Sequence, residues 1–554
     1  MNMENIKLKL QIFLKKLSIW TVILWLVGWA VAYLVVLPPI NPQSLEFWAF
    51  FLPALIIPLL VIFQALAFKG GFKKGKSLWP IIVAIIGAAV FFGGMLIASP
   101  VFSAKSYASR IAITNASFET DVREVDFSNL PLLDKDSSRK VGDRVVGQIP
   151  ELVSQFNVSD EYSLINYHGQ IIRVTPLEHN GLYKYFSNSE GTYGYVTVDT
   201  TTGEARLVKT SSPIKYLPSA YYFHNLTRHV QIHYPFDILG DASFELDEEG
   251  NPYWVIQSIG YGWVNLKPRV KGVIVVDAMS GKMNKYKAGE VPAWVDNVYD
   301  ANLVIEEINS WGLYQGGYMN SKFAQKNVIQ TTTGYTYLTQ DDDVYMYTGI
   351  TSVAIDESNI GFVYVNLRTH EAQYFAVPGA EEYSAMDSAI GSVQEKNYTS
   401  TFPLLINLKG RPTYLLSLKD SGGLVKMYAF VDVRDYQKVY VSDASYGIEY
   451  AAANYLKMIN GDDVPPVPSS DQHGVITVSD LTSVVINGNT VYYLLAEDGG
   501  KYELYVTVDV STVPFIKKGD RLEVSYYSEE GLNRITEVKI LKPEINENNA
   551  EQGE

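Results

Sequence analysis

Three long apolar runs open the chain, Leu17 to Leu37, Phe47 to Phe68 and Leu78 to Ser99. Each is long enough to cross a hydrocarbon layer of ~30 Å at ~1.5 Å per residue, so the pattern predicts three transmembrane helices over residues 17–99. Lysines flank only one set of ends. Lys7, Lys9, Lys15 and Lys16 precede the first run, Lys69, Lys73, Lys74 and Lys76 separate the second from the third, and residues 38–46 carry none. By the positive-inside rule, Lys15, Lys16, Lys69, Lys73, Lys74 and Lys76 act as topology signals. They predict a cell-membrane protein with a cytoplasmic N-terminus and residues 100–554 outside. A cleaved signal peptide fits the first run poorly, because it lacks a small-residue cleavage site and two more runs follow. Residues 1–16 alternate Ile6, Leu8, Leu10 and Phe13 with lysines, which reads as a basic segment on the inner leaflet or a charged flank.

Beyond residue 100 the period changes to two. Residues 100–139 read as a stalk that starts with small polar residues and ends in a charged run. A β-hairpin pattern then recurs, with alternating apolar residues, an Asp or Asn, a short turn and a return strand. The copies run from Gly194 to Val208, Gly272 to Tyr286, Gly361 to Phe375 and Met427 to Val441. Their turns begin at Asp199, Asp277, Asn366 and Asp432. Gly203 and Gly281 follow in the first two, and the other two lack the glycine, so their turns are expected to differ. Another strand precedes each hairpin, and helical stretches at 143–156, 296–311, 381–396 and 445–459 separate the units. This divides the chain into modules at 140–215, 216–312, 313–396 and 397–460. A proline-rich linker at 461–472 follows, then five short strands over 473–541 that suggest a small OB-type barrel, and an acidic tail at 542–554 expected to be disordered.

Val198 to Glu204, which ends a strand as V-D-x-x-T-G-E, resembles the PepSY module. The likeness extends through degenerate motifs over about residues 140–460. The arrangement is similar to membrane-anchored PepSY-like proteins of Gram-positive bacteria with an OB-like C-terminal domain. The resemblance implies cystatin-like modules, each one helix on a curved antiparallel sheet. It also implies a non-catalytic role outside the membrane, often in restraining proteases or mediating envelope contacts. The expected fold class is therefore a three-helix transmembrane anchor plus an α+β ectodomain of tandem helix-on-sheet modules and a C-terminal β-barrel.

Composition sharpens this picture. There is no cysteine in 554 residues, which excludes a disulfide scaffold, thiolate zinc sites and a cysteine nucleophile. The net charge is −15 although the first hundred residues are basic, so the remainder is strongly acidic. That sign opposes binding of nucleic acid or anionic lipid by bulk electrostatics and keeps a domain soluble; cationic peptides or metal ions are the sharper alternative. The sequons at Asn115, Asn157, Asn225 and Asn397 read as chance matches in a bacterial envelope protein.

Candidate chemistry is sparse. His224, His229 and His233 fall within ten residues, but their aromatic surroundings read as a strand pair rather than a metal site. The run Asp341 to Asp343 reads as a solvated turn. No nucleophile elbow, zincin helix or phosphate loop is present, and Gly70 to Gly75 is an orientation signal rather than a phosphate cradle. No catalytic, cofactor-binding or metal residue is assigned. Tyrosine is abundant, 39 of 554 residues. Tyr345, Tyr347, Tyr364 and Tyr374 on adjoining strands are candidates for an interaction surface, with sheet core as the competing role. The expected function is a non-catalytic binding or scaffold protein of the envelope that restrains a protease or cell-wall enzyme. Its expected partners are the membrane itself and an envelope protein or cell-wall component, with oligomerisation through the membrane block. A hydrolase or peptidase with dispersed residues is one alternative. Nucleic-acid binding by the barrel is another, weakened by few basic residues (Lys501, Lys517, Lys518, Arg521, Arg534 and Lys539).

Overall fold

The computed structural model describes residues 20–21, 23–54, 56, 86–87, 89, 93–262, 265–340, 343–353, 355–461, 472–486, 489–509, 511–529 and 532–541. Strand outweighs helix, 40% against 30%. Contacts divide the chain into two compact units, residues 1–384 with 404–412, and residues 385–403 with 413–554.

The expected transmembrane anchor is not supported. Among the described residues no helix is long and apolar enough to cross a membrane. Among the described residues, helical backbone at 20–21 and 23–36 ends at Val36. Pro38 and Pro39, which lack amide donors, then stop it, and Leu37 before them takes φ 49°. The loop that follows does not stand free. Ile40 N–H donates to Pro235 O at 2.6 Å, and the Gln43 side-chain amide donates to Tyr261 O at 2.9 Å. The cell-membrane placement, with a cytoplasmic N-terminus and an extracytoplasmic remainder, falls with the anchor. Most of the second and third apolar runs, and all six topology lysines, lie outside the described residues, as do the acidic tail at 542–554 and residues 1–16.

Among the described residues, three sheets lie in the first unit. The first joins Phe156–Val158, Gln170–His179, Thr192–Asp199 and Ala205–Ile214 in that order, with Ser163–Tyr167 also paired to Gln170–His179. The second is a four-stranded meander of Ile238–Leu246, Pro252–Gly262, Asn265–Asp277 and Met283–Lys287. The third is built on the hairpin Asp343–Ser352 and Ile355–Asn366, flanked by Ala372–Phe375. Alternation along the first sheet explains how these layers meet, because successive side chains point to opposite faces. Ile165, Ile172 and Val174 join Phe244, Trp254 and Ile274 in a core shared with the second sheet. Leu164 and Ile171 enter a different core with Val344, Val363 and the helix residues Val304 and Ile308. The first sheet is therefore covered on both faces.

Helix positions follow local signals. Asp134 caps Lys135–Gly147 by accepting from Ser137 N, and Pro150 starts a separate turn at Pro150–Val153. Asp300 caps Ala301–Tyr314 by accepting from Asn302 N and Leu303 N. The expected stalk is instead woven into the fold. Ile113–Ala116 pairs in parallel with Ala372–Phe375, and Val125 N–H donates to Asn407 O at 2.9 Å.

The recurrent turns share one mechanism. Each Asp or Asn side chain accepts from the amides two and three residues on, at 2.8–3.0 Å. The pairs are Asp199 with Thr201 and Thr202, Asp277 with Met279 and Ser280, Asn366 with Arg368 and Thr369, and Asp432 with Arg434 and Asp435. The expectation that the third turn must differ is corrected. His370, at φ 68°, takes the left-handed place held by Gly203 (77°) and Gly281 (74°). The fourth turn is one residue longer, closing from Asp432 N to Lys438 O.

Thr399–Ser400, Arg411–Lys419, Val425–Asp432 and Val439–Asp443 form a further sheet in that order. Helix Ile448–Asn460 lays Tyr455 on Phe430, with ring centroids 5.7 Å apart. A closed five-stranded barrel follows, ordered Gln472–Ile486, Asn489–Ala496, Lys501–Tyr505, Leu532–Leu541 and Arg521–Glu529. One parallel pair, Tyr502 with Asn533 and Glu503 with Arg534, closes it.

Candidate functional site

Three connections of the first unit converge on a cavity of about 220 Å³ where the first and second sheets meet. One is the tight turn Tyr167–Gln170, in which His168 and Gly169 both take positive φ, 53° and 77°, as a two-residue hairpin requires. Another is the turn after Ile238–Leu246. Asp247 Oδ1 accepts from Glu249 N and Asn251 N, and its Oδ2 accepts from the Asn251 side chain, so both oxygens are committed to holding this turn. The last is the segment Ala293 to Asp296. Trp294 there lies against Tyr253, with ring centroids 4.9 Å apart.

These pieces are bolted together. Tyr195 Oη donates to Gly250 O at 2.9 Å, and Ser163 Oγ accepts from Phe244 N at 3.0 Å. Asp296, 1% exposed, accepts from Asn166 N at 2.8 Å through Oδ2. Beneath it lies Glu245, fully buried. Its Oε2 accepts from Asp296 N at 2.8 Å, and its Oε1 accepts from Asn297 N at 3.2 Å and from Ser243 Oγ at 2.5 Å. Burial pushes the Glu245 carboxyl above the ordinary glutamate range, and these hydrogen bonds only partly oppose it.

The cavity is acidic and acceptor-rich. Asp247, Glu248 and Asp296 line it, with neither lysine nor arginine among the described lining residues, and His168 Nδ1 lies 3.9 Å from Glu248 Oε2. Nearby phenols register the field. Tyr167 is pushed up by burial and then by Asp247, Glu248 and Glu249; Tyr253 rises to about 12 through burial, Asp247 and Asp277. Asn166 Oδ1 is buried in the wall without a hydrogen-bond partner, an acceptor still to be satisfied. The lining offers no hydroxyl or amine nucleophile other than the Tyr167 phenol. What the arrangement does best is attract and orient a positive group.

The residues singled out from sequence lie elsewhere. Tyr347 and Tyr364 are buried in the third sheet, where Tyr364 Oη donates to Leu405 O at 3.2 Å. Tyr345 and Tyr374 are half-buried, and Tyr374 Oη donates to Ile360 O at 3.1 Å. The four do not make an exposed patch, because strands packed on both faces carry tyrosines inward. The expected strand pair around the histidines is helical, with a 3₁₀ turn at Tyr222–His224 and helix Leu226–His233. His229 Nε2 is 2.8 Å from Gly281 O, His233 Nδ1 is 2.9 Å from His229 O, and His224 Nδ1 is 3.3 Å from Tyr185 Oη. Among the described residues no group of three metal-ligating side chains converges. Asp343 is not solvated: it is buried, accepting from the Asn366 side chain at 2.7 Å and from Arg368 Nε at 2.6 Å.

Sequence reasoning missed the cavity because its acids come from turns and loops that are structurally ordinary one by one. The legible signal was His168-Gly169 between alternating strands, which marks a turn but not what the turn faces.

No protein-family model matches the chain, and no curated protein does. A solved structure titled "Crystal structure of polysaccharide lyase Uly1" is similar to 62% of this chain and 74% of that one. The identity is 10% and the TM-score 0.17, and a likeness this distant carries no argument.

Proposed function

We propose that this chain is a non-catalytic binding and scaffold protein whose working site is the acidic cavity between the first and second sheets. The carrying observation is that Asp247, Glu248 and Asp296 line one concave site together with Tyr167 and Trp294, and that no lysine or arginine is among its described lining residues. Excess negative charge in a low-dielectric recess favours a partner that brings positive charge. The PepSY resemblance, with its non-catalytic modules, supports the same reading. A protease or cell-wall enzyme with a basic surface is the kind of partner it names.

The test is retention of small basic proteins on the immobilised chain, compared with acidic proteins of matched size. Replacing Glu248→Gln and Asp296→Asn together is expected to weaken retention at least tenfold. Because the whole chain is acidic, Glu190→Gln with Glu395→Gln, which removes two exposed charges elsewhere, serves as the matched control and is expected to change little. Equal losses in the two double variants would reduce the effect to net charge and overturn the reading.

A further inference from the structure

We infer that His179, His224, His229 and His233 form an acid-operated latch. At neutral pH it holds helix Leu182–Ser187 and residues 221–233 on the first and second sheets, and proton uptake by the array releases them. This goes beyond the proposed binding role and does not depend on it.

The geometry is a continuous ladder of rings. The chain has seven histidines, and four of them meet here. The His179 ring lies 5.2 Å from Tyr185, whose hydroxyl is 3.3 Å from His224 Nδ1. Tyr216 continues the ladder, 5.5 Å from the His224 ring and 4.3 Å from the His229 ring. His233 ends it, 4.8 Å from His229. These rungs tie separate pieces of chain together. His179 Nε2 is 3.2 Å from Asn188 O, at the end of helix Leu182–Ser187. Tyr185 Oη donates to Tyr221 O at 3.1 Å, and His229 Nε2 lies 2.8 Å from Gly281 O in a turn of the second sheet.

The array is built for neutral imidazole. A carbonyl only accepts, so Asn188 O fixes the proton of His179 on Nε2. Nδ1 is then bare, buried and without a partner, in a residue only 6% exposed that packs on the Phe156 and Tyr185 rings. A second proton would place a charged N–H donor there with no acceptor to meet it.

No compensating charge faces the array. The histidine ion pairs of the described residues are those of His168 and His370. Between residues 205 and 236 the sequence has Arg206, Lys209, Lys215 and Arg228 and no Asp or Glu, in a chain of net charge −15. Lys184 adds a cation on helix Leu182–Ser187. The acids of neighbouring elements are committed elsewhere. Glu178 accepts from Ser159 Oγ, Asp237 pairs with Lys285, and Asp277 holds its own turn through Met279 N and Ser280 N. Glu190, beyond the helix, is exposed. Burial pushes His179, His224 and His229 below the ordinary imidazole value. Lys215 and His229 act the same way on His224, and His233 on His229, while the carbonyls of Asn188 and Gly281 oppose the shift on His179 and His229. With folded values lowered, the released chain binds protons more readily. The latch is therefore fully stabilising above the ordinary imidazole value of ~6.5 and weakens as pH falls through the folded values.

What the latch holds is an exposed aromatic surface, Tyr183, Phe186, Tyr222 and Phe223. Tyr222 sits at φ 54°, a left-handed conformation that a bulky side chain keeps only where its neighbours enforce it. Letting go of Tyr221 O and Gly281 O relieves that strain and rearranges the aromatic surface.

The experiment is hydrogen exchange of the full chain at pH 7.5 and pH 5.0, read by mass spectrometry as protection factors corrected for intrinsic rates. Protection over residues 182–188 and 221–233 is expected to fall at least tenfold at pH 5.0, while helices Lys135–Gly147 and Ala301–Tyr314 change less than twofold. His179→Gln with His229→Gln keeps an amide donor for Asn188 O and Gly281 O but cannot titrate, and is expected to cut the fall below threefold. Lys215→Glu sets a carboxylate near His224 without touching a histidine, and is expected to shrink the fall at least threefold. His473→Gln, in the barrel, is expected to leave it unchanged. Protection of the two segments retained at pH 5.0, or an equal loss in the two control helices, would overturn the latch. So would a full tenfold fall in Lys215→Glu or in the double variant, or a fall abolished by His473→Gln. Should the double variant lack protection at pH 7.5, the Lys215→Glu result decides alone.

Discussion

Two buried glutamates in the first unit make an instructive pair. Glu307, on helix Ala301–Tyr314, is 2% exposed and fully answered by its own chain. His370 Nε2 lies 2.7 Å from one oxygen and the Arg110 guanidinium 3.5 Å from the other. Arg110 also donates to Pro268 O, and His370 stacks flat on Tyr299 at 4.2 Å. Glu245 is equally buried but meets uncharged donors, the Ser243 hydroxyl, the backbone amides of Asp296 and Asn297 and the Asn297 side chain, beneath a cavity lined by further carboxylates. A closed ionic network fixes elements to one another.

The largest effect should come from breaking the closed network. Glu307→Ala leaves Arg110 buried without its carboxylate and should cost ~3–5 kcal/mol in urea unfolding. A loss under ~1 kcal/mol would mean that the network does not hold these elements together. Glu245→Ala removes an acceptor from two amides and a hydroxyl, with a smaller expected loss of ~1–3 kcal/mol. If Glu245→Ala proved the more damaging, the contrast between the two sites would collapse.

The two glutamates can also be separated by pH. Burial raises the Glu245 carboxyl in the folded state, so the folded chain holds a proton that the unfolded chain releases. The Glu245 contribution to stability is therefore full below the ordinary glutamate range and is lost as pH rises through the raised folded value. Urea midpoints measured from pH 4 upward should show this decline, and Glu245→Gln should flatten it. A decline identical in the variant would assign the slope to other groups.

A third comparison uses the repeated turn. Glycine suits the left-handed φ of residue 370 better than histidine does, so His370→Gly relieves backbone strain of ~1 kcal/mol while losing the bond to Glu307. The charged hydrogen bond is worth ~1.5–3 kcal/mol, so a net loss of ~1 kcal/mol is expected in the same unfolding assay. A gain in stability would show that strain, not the contact with Glu307, dominates there. The smallest stability effect belongs to Glu248→Gln, within ~0.5 kcal/mol because the side chain is exposed. It should nevertheless weaken binding of a basic peptide several-fold. A variant that lost stability but not binding would reverse the roles drawn here.

The local parts of this fold were legible in the sequence. Alternating residues in Thr192–Asp199 and Asn265–Asp277 mark strands, and an Asp followed by two accessible amides makes its turn within four residues. The third turn shows the limit. Without glycine it was expected to differ, yet His370 adopts the same conformation because Glu307, far along the chain, rewards that placement. Tyr347 and Tyr364 show another limit, since alternation assigns a face and cannot say whether a second layer covers it. The apolar runs at the start were read by length and flanking lysines, and among the described residues no helix is long and apolar enough to cross a membrane.

What the sequence determined by itself is therefore the short-range content: hairpins, Asx turns, capped helices, an acidic balance and the lack of cysteine chemistry. Each depends on residues a few positions apart, whose backbone preferences and hydrogen bonds act without the rest of the fold. Only the tertiary structure decided that the first sheet is buried on both faces. It alone decided that Glu307 finds Arg110 and His370, and that Tyr167, Asp247, Trp294 and Asp296 share one cavity. The reason is physical. Burial and electrostatic pairing depend on distance in space, and in this unit the groups that share a site are brought in from turns and loops of separate sheets.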